Sequence, residues 1–119
     1  MVRTPTNPRQ ASRFRTAGMR RTPDACAEAM KALSDPNRIR IVRALLVGPA
    51  NVTEIAARAG LSVHRVSHHL GRMRPAGLVA CTRRGRQMIY RIAEAVGTAD
   101  GLDLGFCHVQ FRPTEPDPK

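Results

Sequence analysis

The sequence predicts a small α+β domain that is mostly helical, with a two-stranded hairpin and an extended C-terminal segment. The composition favours helices over a β-sandwich, because 42% of the 119 residues are apolar but only 3% are aromatic, which leaves Leu, Ile, Val, Ala and Met to form the core. Apolar residues recur with a period of about 3.6 from residue 22 to residue 73, and after Gly77 the period changes to about two. A chain of this length is expected to form one folded domain.

Three segments are expected along the chain. Residues 1–21 contain two Pro, no acid and almost no large apolar residues, a composition that predicts a disordered basic arm. Residues 22–95 contain the periodic segments and form the predicted folded domain. Residues 96–119 are predicted as an extended segment with a frayed tail. The alternation of apolar residues within it changes register at Cys107, which suggests a β-bulge.

Two helices are predicted from a repeated start signal. Thr22 precedes Pro23, and Asp35 precedes Pro36. In each pair, the first residue can cap a helix and the proline suits its first position. Gly48 is expected to end the second helix. The apolar face predicted for the second helix comprises Ile39, Val42, Leu45 and Leu46.

A short third helix and a fourth helix follow. Asn51 and Glu54 have the spacing of a capping box, and Gly60 is the expected stop. Ser62 can cap the fourth helix, which begins at Val63. Two helices joined by such a short turn are typical of a helix-turn-helix motif, whose second helix enters the major groove of DNA. The side of this fourth helix opposite the apolar residues carries His64, Arg65, His68 and Arg72, with Ser67 at its margin.

The change of period after Gly77 predicts a hairpin centred on Arg84 and Gly85. Its tip carries Arg83, Arg84 and Arg86. A hairpin with a cationic tip beside a recognition helix is a wing, and we expect it to contact DNA phosphates. The fold class predicted is therefore a winged helix-turn-helix. The side chains predicted to face the core are Val79, Cys81, Met88, Tyr90 and Ile92.

The positive charge is concentrated. The net charge is +11, yet residues 55–93 contain eight Arg, three His and no acid. A field of this size attracts polyanions, and double-stranded DNA is the partner that the helix-turn-helix indicates. A merely soluble basic protein is the alternative. For Arg58 and Arg91, two interpretations stay open: a side chain on a solvated surface, or a contact with DNA phosphate.

The three His of the fourth helix allow two interpretations. His64 and His68 are four residues apart and could bind zinc, but such a site needs further ligands, and Arg65 and Arg72 would repel a dication. Contact with the DNA groove is the preferred interpretation, and no metal is predicted. His69 lies near the apolar margin and is expected to be a packed, hydrogen-bonded core histidine.

The cysteines are few and scattered. Three of them, an odd number without a C-x-x-C pair, do not form a disulfide framework, so reduced thiols in a cytoplasmic protein are expected. The longest apolar run falls short of the ~18 residues that span a bilayer, so no membrane association is predicted.

The stretches "ALSDPNRIRIV", "GLS…VSHHL…AGLV" and "GR…YRI" resemble the ArsR/SmtB family of winged-helix repressors over roughly residues 29–92. The resemblance implies a homodimeric transcription factor, usually a repressor, that is released from a pseudo-palindromic operator by a signal. It assigns residues 83–91 to the wing. The residues that it and the helix pattern place on DNA are His64, Arg65, Ser67, His68, Arg72, Arg83, Arg84 and Arg86.

Departures from the family pattern concern the signal. Many metal-sensing relatives carry two Cys in the third helix, and this chain has Asn51 and Thr53 there, which supply no thiolate. No cofactor is predicted. Because both chain ends meet at the dimer interface in the family, Cys26 and Cys107 are a candidate thiol switch. Buried, inert thiols are the alternative.

The predicted function is that of a sequence-specific DNA-binding regulator. An architectural nucleic-acid-binding protein without sequence preference, or a winged-helix module that docks acidic proteins, is the alternative. An enzyme is not expected, because the chain has no Ser-His-Asp order, no Gly-rich phosphate loop and no paired carboxylates within residues 55–93.

Overall fold

A computed structural model describes residues 22–112, so the predicted basic arm and the last seven residues lie outside the described part. Within it, four helices precede two short antiparallel hairpins, and the predicted winged helix-turn-helix is confirmed. The elements are α1 (Pro23–Leu33), α2 (Pro36–Val47), α3 (Val52–Ala59), α4 (Val63–Met73), β1 (Val79–Arg84), β2 (Gln87–Ile92), β3 (Gly101–Asp103) and β4 (His108–Gln110). No helix in residues 22–112 is long and apolar enough to cross a membrane.

Each helix begins at the cap that the sequence predicts. The side chains of Thr22, Asp35, Asn51 and Ser62 each accept a hydrogen bond from a backbone N–H two or three residues further on. At α3 the capping box is complete, because Glu54 also accepts from the backbone N–H of Asn51 at 2.9 Å. These bonds satisfy backbone donors that have no partner inside the helix.

One hydrophobic core joins the helices to the C-terminal segment. α2 packs against α1, α3, α4 and β2. Val96, Leu102 and Leu104 are each completely buried in the same core, so the segment predicted from residue 96 onwards contributes to the core of the helices. The largest fully buried side chains are Ile41, Val42, Ile55, Val66, Leu70, Met73, Leu78, Val96, Leu102 and Leu104.

The prediction of the apolar face of α2 is wrong at one residue. Ile39 is 38% exposed, whereas Ile41 and Ala44 are buried. The reason is that α2 is covered by several neighbours and not by one, so its buried surface is wider than a single stripe.

The wing consists of β1 and β2 in antiparallel register, with Val79 opposite Ile92 and Arg84 opposite Gln87. Ala50 forms an isolated antiparallel β-bridge to β2, because its backbone exchanges two hydrogen bonds with that of Tyr90, at 2.8 and 3.0 Å. Of the residues predicted to face the core, Val79 is buried. The other four, Cys81, Met88, Tyr90 and Ile92, are half-buried.

The C-terminal segment is a hairpin, and the prediction of a single extended strand with a bulge is wrong. Leu102 on β3 lies opposite Val109 on β4. The change of alternation at Cys107 marks the turn between the strands, where Gly105 has a φ of 90°. Gly101 is also required, because a Cβ there would lie 1.9 Å from the Val109 carbonyl oxygen. A turn and a bulge both interrupt alternation, which is why the pattern alone did not separate them.

The expectation of three reduced thiols is wrong for two of them. Cys26 on α1 and Cys107 at the turn of the C-terminal hairpin form a disulfide, with their Cα atoms 6.8 Å apart. Cys81 on β1 is free and half-buried. The pair is 81 residues apart in sequence, and the fold brings it together because the hairpin packs back on the helices.

Candidate nucleic-acid interface

The two sides of α4 differ sharply in character. Val66, Leu70 and Met73 are buried on one side with at most 1% of their surface exposed. Val63, placed on this side by the helical pattern, is 48% exposed because it lies in the first turn at the edge of the core. The opposite side, which we call the recognition face, consists of the exposed residues His64, Arg65, Ser67, His68 and Arg72.

The tip of the wing is cationic and exposed, as predicted. A two-residue turn, Gly85 and Arg86, joins Arg84 to Gln87. The guanidinium of Arg91 donates to the Thr82 hydroxyl across the strands at 2.7 Å. Arg91 is thus exposed and also links the two strands of the wing. The three Arg side chains at the exposed tip are Arg83, Arg84 and Arg86.

Two polar contacts of the helix-turn-helix were missed by sequence reasoning. The Arg58 guanidinium donates to the carbonyl oxygens of Ala44 at 3.1 Å and Gly48 at 2.8 Å, so Arg58 caps the end of α2. The Asn51 amide donates to the Gln87 side chain at 3.0 Å and connects the start of α3 to the wing. Sequence patterns carry no signal for either contact, because the partners lie 10 to 36 residues away.

His69 is the buried histidine of α4, and the prediction of a packed, hydrogen-bonded core residue is confirmed. Its Nδ1 accepts a hydrogen bond from Nε of Arg38 at 3.0 Å. Arg38 also donates through Nη1 to the carbonyl oxygen of Ala32 at 3.1 Å. Burial lowers the pKa of His69, the Asp35 carboxylate opposes this, and the Arg38 guanidinium adds to the lowering. The role of Arg38 had no sequence signal.

The metal-binding interpretation of the His pair finds no further ligands nearby. His64 and His68 are both exposed on α4. Within residues 22–112 no group of three or more His, Cys, Asp or Glu side chains is close enough to share a metal ion.

Comparison with known proteins places this architecture in a family. The sequence model of the "Bacterial regulatory protein, arsR family" matches residues 35–80. The regulator NmtR of Mycobacterium tuberculosis is 38% identical over 82 residues, which cover 69% of this chain and 68% of NmtR. The chain belongs to the ArsR family. The regulator CmtR of Mycobacterium bovis is 44% identical over 71 residues, and the match covers 60% of each chain.

Solved structures of related DNA-binding proteins and repressors share the fold. The homodimeric winged helix-turn-helix DNA-binding domain Mb0332 of M. bovis superimposes with a TM-score of 0.56 at 34% identity, covering 59% of this chain and 65% of that domain. The repressor BigR of Xylella fastidiosa superimposes with a TM-score of 0.54 at 35% identity, covering 58% of this chain and 70% of BigR. The family model, which matches residues 35–80, spans α2, α3 and α4 and does not reach the C-terminal hairpin.

One of the two positions at which metal-sensing relatives were expected to carry Cys has a structural role in this chain. Asn51 is the cap of α3 and holds Gln87 of the wing. Thr53 lies one residue into α3 and is exposed. The start of α3 is therefore built from capping groups and not from thiolates.

Proposed function

We propose that this ArsR-family chain is a sequence-specific DNA-binding transcriptional regulator that acts in the cytoplasm as a homodimer on a pseudo-palindromic operator, with repression as its effect and without enzymatic activity. The observation that carries the proposal is the recognition face. It presents polar and cationic side chains on a helix whose other side is locked into the core. A helix of this kind fits the major groove.

The side chains divide into two roles. On the recognition face, His64, Arg65 and His68 are assigned to base edges, because imidazole and guanidinium donors match acceptors in the major groove. The remaining candidates are assigned to phosphates, which position the protein without reading sequence; they are Ser67, Arg72, Arg83, Arg84 and Arg86.

Dimer formation is supported by exposed apolar side chains near the chain ends. Met30 on α1 is 47% exposed and Phe106 in the C-terminal hairpin is 60% exposed. In a symmetric dimer the two copies of α4 enter successive major grooves about 34–36 Å apart, so half-sites are expected about 10 bp apart or at a multiple of that spacing. Sedimentation of a monomer at micromolar concentration, with footprints of single half-sites, would contradict the dimer.

Selection of binding sites from random DNA tests the function directly. The proposed regulator is expected to enrich an inverted repeat. Enrichment of no sequence, with tight binding to all duplexes, would point instead to an architectural protein. Failure to bind any duplex would favour a module that docks acidic proteins.

A thiol switch is proposed as the signal, supported by the Cys26–Cys107 bond. Disulfides rarely persist in a reducing cytosol unless they are transient or regulatory. Hydrogen peroxide would oxidise one thiolate to a sulfenic acid and release water. Attack by the second thiol would then form the disulfide and release a second water, so two thiols and one peroxide give one disulfide. The bond would fix the C-terminal hairpin against α1 and bias the dimer arrangement.

DNA-binding titrations with and without peroxide test the switch, with Cys81→Ser as the matched control. Wild type and Cys81→Ser are expected to change affinity on oxidation, and Cys107→Ser is not. A hundredfold change would require about 2.7 kcal/mol of coupling between the bond and DNA binding. Equal affinities for all three proteins in both conditions would exclude the switch.

A further inference from the structure

One cationic side chain of α2 points towards the recognition helix instead of into solvent. The half-buried guanidinium of Arg38 contacts two other elements at once. Its Nε donates to Nδ1 of His69 on α4 at 3.0 Å, and its Nη1 donates to the carbonyl oxygen of Ala32 in the last turn of α1 at 3.1 Å. Arg38 thereby joins α1, α2 and the buried side of α4.

The contact lies directly behind the recognition face. His69 is the immediate neighbour of His68, and their rings meet edge to face with centroids 5.5 Å apart. Buried apolar residues also hold α4 on the core, but hydrophobic contacts have no direction and tolerate small rotations of a helix. A hydrogen bond requires a defined distance and angle. A rotation of α4 about its own axis would stretch or bend the Arg38–His69 bond, and this rotation decides where the recognition face points.

We propose that Arg38 is a positioning residue for DNA recognition, which acts by holding the imidazole of His69 and so fixes the orientation of the recognition face. The inference rests on the proposed DNA-binding function. It concerns sequence discrimination, because base contacts depend on placement within fractions of an ångström, whereas phosphate contacts tolerate more.

The bond exists in only one protonation state of His69. The Nε of Arg38 is always a donor, so Nδ1 of His69 must carry a lone pair. A protonated His69 would place two N–H donors and two positive charges against each other. Arg65 and His68 on α4 add positive charge around the ring, and within residues 22–112 the carboxylate of Asp35 opposes it.

The direction of the pH effect follows from this geometry. Burial lowers the pKa of His69 below the ordinary histidine value of 6.5. The contribution of the bond is therefore complete above about pH 6.5 and is lost as the pH falls through the lower pKa of the folded protein.

The first test compares Arg38→Met with the control Arg40→Met in the full-length protein. Both variants remove one charge from α2, but Arg40 is exposed and its guanidinium only donates to the Asn37 side chain at 2.8 Å. Dissociation constants are measured on the selected duplex and on a scrambled duplex. Arg38→Met is expected to weaken selected binding about tenfold, with less than about a twofold change on scrambled DNA relative to Arg40→Met. Equal selectivity of the two variants would overturn the proposal.

The second test uses a pH profile, which a purely structural role would not change. In His69→Asn the amide oxygen takes the place of Nδ1 as an acceptor and cannot be protonated. The ratio of wild-type selectivity to His69→Asn selectivity is expected to fall, by up to about tenfold, as the pH is lowered from 7.5 through the pKa of His69, which lies below 6.5. The titration is continued to the lowest pH at which both proteins stay folded. His64 and His68 are present in both proteins, so the ratio of the two selectivities reports on His69.

The two tests separate the possible failures. Parallel pH profiles for wild type and His69→Asn would refute the proposal even if Arg38→Met did not fold. A wild-type protein that selects no sequence would instead refute the proposed function, and with it this role. Retained selectivity in Arg38→Met would refute only the positioning role.

Discussion

The segment from α2 to the wing and the C-terminal hairpin are stabilised in different ways. In the first, every helix has its own capping side chain, and the strands of the wing are six residues long. In the second, the strands are three residues long, and the hairpin depends on two buried leucines, a close backbone approach at Gly101 and the bond from Cys107 to α1. The structure of the segment from α2 to the wing is determined mainly by short-range contacts, whereas the C-terminal hairpin needs contacts with the rest of the fold.

This difference has a functional consequence. The recognition face lies on α4, whose start is specified locally by the Ser62 cap. The C-terminal hairpin lies outside the region matched by the family model, which ends at residue 80. Because the hairpin shares its core with the helix that carries the recognition face, a change at the Cys26–Cys107 bond can be passed on to that face, which suits a position for receiving signals.

The largest predicted effect concerns the hairpin. Leu102→Ala is expected to lower the free energy of unfolding by about 2–5 kcal/mol, because Leu102 is completely buried and its loss leaves a cavity in the common core. Urea denaturation of the full-length protein measures the change. The control is His108→Ala in the same hairpin, since His108 is exposed on β4.

A loss below about 0.5 kcal/mol for Leu102→Ala would mean that the hairpin is not part of the core. The contrast between the two regions would then be wrong, because the hairpin would be an appendage that neither contributes to nor depends on the helices.

The sequence predicted the helices and the wing because their signals are short-range. Thr22, Asp35, Asn51 and Ser62 lie within three residues of the donors that they cap. The hairpin was mispredicted because its decisive contacts are long-range. The Cys26–Cys107 bond and the packing of Leu102 against the helices involve residues that only the folded chain brings together.

The candidate site divides in the same way. The exposed side of α4 was predictable from helical periodicity, and the burial of His69 from its place at the margin. The partner of His69 was not, because Arg38 lies 31 residues earlier and resembles any other surface Arg in the sequence. Arg58 was likewise not recognised as a helix cap.

The second prediction tests the recognition face itself. Arg65→Ala is expected to weaken binding to the selected duplex by about 1–3 kcal/mol and to relax base preference at one position in each half-site. Arg65 is exposed on α4, so the unfolding free energy should change little. Repeated site selection with the variant measures the preference, and an unchanged preference would mean that α4 does not read bases.

The third prediction tests local specification. Asn51→Ala is expected to lower the unfolding free energy by about 1 kcal/mol, because it removes the cap of α3 and the bond to Gln87. Thr53→Ala, which changes an exposed side chain in the first turn of the same helix, is the control. Thermal unfolding followed by circular dichroism measures the midpoint temperature of both variants. Equal midpoints for Asn51→Ala and Thr53→Ala would show that the capping box does not contribute to stability.

The smallest predicted effect separates the wing from the recognition helix within the locally specified region. Arg84 is exposed at the end of β1, and a wing beside a helix in the groove is expected to contact DNA phosphates. Arg84→Ala is therefore expected to weaken binding to all DNA sequences equally, and by less than Arg65→Ala weakens binding to the selected duplex. It is also expected to lower the slope of log affinity against log salt by about one. Titrations at several salt concentrations on selected and scrambled duplexes measure this. A loss confined to the selected duplex would assign Arg84 to base reading, and the wing would then discriminate sequences together with α4.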